Sequence, residues 1–107
     1  MPARVVFATS AQADLDGLFE WISDRAGLAT ALAYTRRIES FCAGFAPFPK
    51  RGSERSDLRP GLRTIGFERR VTIAFTVQGD DVVILRILYA GRSLERAFDD
   101  AQPDNSD

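Results

Sequence analysis

The chain has 107 residues, 14 cations, 15 anions and no histidine. One domain is the expectation at this length, and no triad or dyad that needs an imidazole can be built from it. Thirteen of the cations are arginine, Lys50 is the single lysine and Cys42 the single cysteine. A disulfide framework is therefore excluded, and a zinc site would have to rest on carboxylates and one thiolate, a poor match to the usual ligand sets. A hydrophobic fraction of 45% with 10% aromatics is that of a globular domain. Arg4 is followed only by the short apolar run Val5-Val6-Phe7-Ala8, unlike a signal peptide, and no stretch nears the ~18 apolar residues of a membrane span. A cytoplasmic protein with no membrane association is expected.

The charge is unevenly distributed. Residues 50–98 carry ten cations against six anions, a net of +4, whereas residues 99–107 carry four aspartates and no cation. Such asymmetry points to an anionic partner, or to no more than a solvated arginine-rich surface.

In chain order, residues 3–8 are β-branched and aromatic and predict a short strand. Thr9 and Gln12 have the spacing of a capping box. Leu15, Leu18, Phe19 and Ile22 then fall on one helical face, with Asp14, Asp16 and Glu20 in the early turns and Gly27 at the expected end. A second helix follows from about Leu28 to Phe45, its apolar stripe being Ala31, Tyr34, Ile38, Phe41, Cys42 and Phe45. So short a link makes the two an antiparallel hairpin. Cys42 on that stripe reads as a small core residue, since no base is at hand to activate it.

Pro47, Pro49, Gly52, Pro60 and Gly61 punctuate a polar loop. Three strands are predicted after it. The first spans Leu62 to Phe67, with Glu68-Arg69 as a tight turn. The second, Val71 to Val77, alternates so that Val71, Ile73, Phe75 and Val77 share a face. After the turn Gln78-Gly79-Asp80-Asp81, the third, Val82 to Tyr89, is nearly all apolar, as in a central strand. Ser93 to Phe98 suits a short helical turn. The predicted fold is α+β: an N-terminal strand, an α-helical hairpin and a three-stranded antiparallel meander, in one domain over residues 1–98, followed by an acidic, frayed tail over 99–107. The hairpin covers one face of the sheet, and the other is expected to be partly open.

Arg86 interrupts the last strand. It must be paired, for example with Glu68 or Asp57, or must reach an open face where it could meet phosphate. Strand parity places it with Ile84 and Leu88, opposite Leu85, Ile87 and Tyr89.

Four local patterns carry a resemblance. Ala13-Asp14-Leu15 opens the first helix with Trp21-Ile22 further along. Phe48-Pro49-Lys50-Arg51-Gly52 follows the second helix. Leu58-Arg59-Pro60-Gly61-Leu62-Arg63 leads into a strand, and Val83 to Arg92 closes the sheet. In this order and spacing, over roughly residues 4–98, they resemble the RelE/ParE superfamily of bacterial type II toxin–antitoxin toxins, leaning to the ParE branch. The resemblance implies a RelE/ParE-like fold and a non-enzymatic, cytoplasmic toxin that inhibits DNA gyrase and blocks replication, as in plasmid stabilisation. A ParD-like antitoxin would neutralise it in a hetero-oligomer. No cofactor, no metal and no sequence-specific nucleic-acid binding by the toxin alone are implied. Arg63, Arg70, Arg86 and Arg92 are the residues expected at the target, and Trp21 and Tyr34 those expected at the antitoxin. The alternative is a RelE-like ribosome-dependent mRNA endonuclease, for which Arg63, Arg70, Arg86 and Tyr89 are the candidates to stabilise the phosphorane and move the proton.

Overall fold

The computed structural model describes residues 4–98, so the tail predicted over 99–107 lies outside the described residues. Strand β1 (Arg4–Phe7) leads into helix α1 (Thr9–Ala26), and helix α2 (Leu28–Ala43) follows after one residue. That residue, Gly27, has a φ of +95°, which a side chain would oppose; it ends α1 and reverses the chain at once. Then come β2 (Ser53–Glu54), β3 (Arg63–Phe67), β4 (Val71–Gln78), β5 (Asp81–Tyr89) and the one-turn helix α3 (Leu94–Ala97).

The sheet order is β1-β5-β4-β3-β2. The predicted meander is β3-β4-β5, antiparallel throughout, and β1 joins it by pairing parallel to β5. The loop expected between α2 and β3 contains β2, a two-residue edge strand. It contains the expected turn as well: the Leu62 N–H donates to the Arg59 carbonyl across Pro60-Gly61, with Gly61 at φ +79°.

The main core lies between the helices and the sheet. Leu15 and Leu18 of α1 and Ile38, Cys42 and Phe45 of α2's stripe pack on Val71, Ile73, Phe75, Val82, Ile84 and Ile87. A smaller cluster closes part of the other face, where Leu62, Ala74 and Phe98 are buried beside Leu58, Leu85 and Leu94. That face is therefore more covered than expected, because α3 folds back over it.

Two local expectations need correction. Thr9 is not the cap: Ala8 is, and no side chain bonds to it. Ala8 donates its N–H to Ile84 and its carbonyl accepts from Gln12, so strand becomes helix with no intervening turn for a capping box to close. The parity of β5 also breaks. Ala74 pairs with Arg86 but Phe75 with Ile84, so Leu85 is an extra residue in β5, a bulge. Ile87 and Tyr89 consequently face the main core with Ile84, and Leu85 faces the smaller cluster.

Candidate functional site

The bulge decides the fate of Arg86. Its Nε and Nη2 donate to Asp14 Oδ2 and Oδ1 at 2.7 and 2.9 Å, and the Ile87 N–H donates to Asp14 Oδ2 at 2.8 Å. Strand β1 ends at Phe7, opposite Ile84, so Ile87 has no strand partner on that side. Asp14, one turn into α1, takes the place of the missing strand. The carboxylate is only 6% exposed and the arginine side chain 26%, so the pair is largely withdrawn from water. Arg86 is thus paired, but with Asp14 and not with Glu68 or Asp57. Glu68 is held by Arg37 of α2 at 3.0 Å, and Asp57 by Arg55 at 3.0 Å. The ion pair with Asp14 also raises the Arg86 pKa, so this guanidinium is charged at any pH at which the fold exists.

Two tight turns meet at the far end of the sheet, where Val71 pairs with Tyr89. Glu68-Arg69 joins β3 to β4 and Ala90-Gly91 follows β5; all four residues have positive φ, and the N–H groups of Arg70 and Arg92 close the turns onto Phe67 and Tyr89. Both have the backbone hand of the hairpin turns that match strand twist. Their effect is to bring Arg69, Arg70 and Arg92 together. Arg92 folds over the Tyr89 ring, 4.4 Å from its centroid, and its Nη2 lies 3.3 Å from the phenol oxygen.

A cleft of about 400 Å³ opens beside these turns, under the distal half of the helical hairpin. Leu18, Ile22 and Val71 form an apolar floor, Trp21 and Tyr34 stand on the helix side, and Arg69 and Arg70 on the sheet side. The Tyr34 hydroxyl is buried yet has no hydrogen-bond partner among the described residues. Burial, and then the nearby Glu68 carboxylate, push its pKa up, so it remains a neutral donor. Trp21 is 36% exposed and tilts against Tyr89 at 5.8 Å, while Leu28 and Leu32 continue an exposed apolar strip along the hairpin.

The structure sorts the predicted residues into three groups. Trp21, Tyr34 and Arg70 share the cleft, and Arg92 borders the same sheet end. Arg86 is committed to Asp14. Arg63, near the other end of β3, donates its Nε to the Arg51 carbonyl at 2.9 Å. Arg51 in turn donates to the carbonyls of Gly44 and Phe48, tying the chain after α2 to the sheet. Next to it, a Cβ on Gly52 would collide with the Thr64 carbonyl oxygen, so that position admits no side chain. The Phe48 to Gly52 motif is thereby accounted for by chain packing. Of the four nuclease candidates, Arg70 and Tyr89 line the same cleft, Tyr89 at 5% exposure, whereas Arg63 is held on the Arg51 carbonyl and Arg86 on Asp14. Asp14 and Arg69 were missed as site residues. Asp14 was visible only as part of a helix-opening motif, and Arg69 only as a turn residue.

Comparison with known proteins agrees with this geometry. The family described as ParE toxin of type II toxin-antitoxin system, parDE, matches residues 5–94. Toxin ParE3 of Caulobacter vibrioides is 41% identical over 85 residues, 79% of this chain and 84% of that protein. The structure of a chromosomal ParDE toxin–antitoxin system from P. aeruginosa is similar with a TM-score of 0.72 and 27% identity, over 81% of this chain and 95% of that one. The toxin–antitoxin complex RelBE2 of Mycobacterium tuberculosis shares the fold, with a TM-score of 0.61 and 22% identity over 86% of this chain and 95% of its own. The chain belongs to the ParE toxin family of type II toxin–antitoxin systems.

Proposed function

We propose that this toxin inhibits DNA gyrase, blocking replication, and that a ParD-like antitoxin silences it by filling the cleft between Trp21 and Tyr34. Family membership supports the class of activity. The observation that carries the reading is the division of one sheet end into an apolar cleft and an arginine cluster. A cleft with an apolar floor and two aromatics fits an amphipathic segment laid along a groove. A partner acceptor reaching Tyr34 would satisfy a buried donor whose isolation costs about 1–3 kcal/mol. The arginines beside it suit an acidic or nucleic-acid-bearing target, for which charge complementarity sets the approach.

Gyrase as target is tested by expressing the chain without its partner and by adding purified chain to a supercoiling reaction. Filamentous cells and gyrase-linked DNA breaks are expected. Rapid translation arrest with cleaved mRNA, and unimpaired supercoiling, would replace gyrase with the ribosome. Antitoxin docking is tested with Trp21→Ala, expected to weaken binding of the cognate antitoxin at least tenfold by calorimetry. Unchanged affinity would move the antitoxin elsewhere.

A further inference from the structure

Past the cleft, the arginine end continues onto the outer face of the sheet as two adjoining grooves. The first is lined by Arg69, Arg70, Thr72 and Arg92, and the second by Arg92, Ser93, Arg96 and the Asp14-paired Arg86, with Leu88 and Gly91 common to both. Among the described residues no carboxylate lines either groove. Glu95, the nearest acid in sequence, accepts from Arg55 through Oε2 at 3.3 Å, and its Oε1 accepts from the Ser93 hydroxyl at 3.4 Å at the groove's edge. Arg69, Arg70, Arg92 and Arg96 form no ion pair among the described residues, whereas Arg4, Arg37, Arg55 and Arg86 each do. Arg25, Arg36, Arg51, Arg59 and Arg63 also lack an ion pair among the described residues but lie elsewhere. Arg69, Arg70, Arg92 and Arg96 follow one path from the β3–β4 turn to α3.

We propose that this path binds the phosphodiester backbone of duplex DNA without regard to sequence. The proposal rests on the reading that the arginine end faces the target, and names the chemistry it meets there. Guanidinium forks and the Thr72 hydroxyl are donors suited to phosphate oxygens. A protein partner would want an apolar anchor at the centre of its interface, and here the branched aliphatic groups, Val71 and Leu88, are each 3% exposed. A single strand would want aromatic faces on which to stack bases. Tyr89, the aromatic lining the first groove, is buried and has Arg92 over its ring. What is left is contact to a backbone. A chain of net charge −1 has no strong long-range attraction for DNA, so binding must come from this local cluster and must be steeply salt-dependent.

The test is fluorescence anisotropy of the full chain with a labelled 20-base-pair duplex of arbitrary sequence, from 25 to 200 mM NaCl. Binding should be sequence-independent, and log K should fall with log salt at a slope of about −2 to −4, as two to four neutralised phosphates require. Arg92→Ala and Arg96→Ala should each weaken binding about three- to tenfold and reduce the slope by about 1. Arg4→Ala, at the opposite end of β5 where Arg4 pairs with Asp81, should change nothing. Absence of binding at 25 mM salt, indifference to Arg92→Ala and Arg96→Ala, tighter binding to the single strand, or displacement by polyglutamate as readily as by duplex would each overturn the proposal. Variants that lose DNA binding but still inhibit gyrase would show that the path does not serve the target and remove the premise. A chain that binds DNA through these arginines and leaves gyrase unaffected would support the path and refute the gyrase reading.

Discussion

The two halves of the helix–sheet interface are built from the same two helices and differ in almost every physical respect. In the proximal half, Ala11, Asp14 and Leu15 of α1 and Ile38 and Cys42 of α2 are buried against β4 and β5. In the distal half, α1 presents half-exposed Trp21 and partly buried Ile22, α2 exposes Leu28 and Leu32, and a cleft separates the hairpin from the sheet. The proximal half also satisfies its polar groups, with Asp14 accepting from both Arg86 and Ile87. Among the described residues, the distal half leaves the Tyr34 hydroxyl unpartnered and gathers Arg69, Arg70 and Arg92 with no carboxylate lining the cleft or the first groove. A chain of this size is stabilised by only ~5–15 kcal/mol, and here the closed half supplies the core while the open half presents groups for partners. Interaction surfaces belong at the less stable end by necessity.

Breaking the closed half should have the largest effect. Asp14→Ala leaves a largely buried guanidinium and the Ile87 N–H without their acceptor. Loss of one partner of such a pair costs about 3 kcal/mol, which for a domain of this length lowers Tm by roughly 12–20 °C. Urea unfolding should show it, and Asp14→Asn, which keeps an acceptor for the N–H, should recover part of the loss. If Asp14→Ala unfolded within 0.5 kcal/mol of the parent, the strand-replacement role of Asp14 would be wrong.

The sequence showed the closed half unevenly. Helical periodicity fixed both helices and the stripe from Ala31 to Phe45 because those signals are local. Alternation did the same for β4. The Asp14–Arg86 pair could not be found that way, since its members lie 72 residues apart and meet only after β1 has docked on β5. The bulge at Leu85 was hidden because an apolar run carries no alternation to break. The same bulge put Tyr89 in the core, against the parity rule. Of the candidate site, Trp21, Tyr34, Arg70 and Arg92 were named through the family resemblance, with Arg63 and Arg86 beside them. Arg69 and Arg96 were not, because only the two left-handed turns and α3 bring them to one side.

A second probe of the closed half is alkaline pH. Cys42 is fully buried, and burial first, then Glu39, pushes its pKa up to about 12. The folded pKa lies above that of the unfolded chain, so the native state keeps its proton while the unfolded state gives it up. The stabilisation is complete below about pH 8.5 and is lost as pH rises towards 12. At pH 10 the parent should have lost roughly 2 kcal/mol relative to pH 7 from this group. Cys42→Ala should be less stable at pH 7, from the cavity it leaves, yet show a flatter alkaline limb. Tyr34, whose pKa is also raised, adds to the loss in both proteins and does not affect the difference between them. Parallel alkaline limbs in the two proteins would show that the thiol is not shielded by the hairpin.

The open half should respond least in stability. Trp21 already has about a third of its surface in water and rests on Tyr89 and Arg25 without closing a core layer. Its truncation gives up one aromatic contact and one cation–π contact, each about 0.5–1 kcal/mol at an exposed site, and leaves no enclosed cavity. Trp21→Ala should therefore cost about 1–2 kcal/mol by urea midpoint, below Asp14→Ala. The same variant is the one expected to weaken antitoxin binding at least tenfold, so its effects on folding and on association separate. A Trp21→Ala loss comparable to that of Asp14→Ala would mean that the distal half is core as well. The cleft would then be a packing defect between helices and sheet, and the antitoxin would have to be sought on another face.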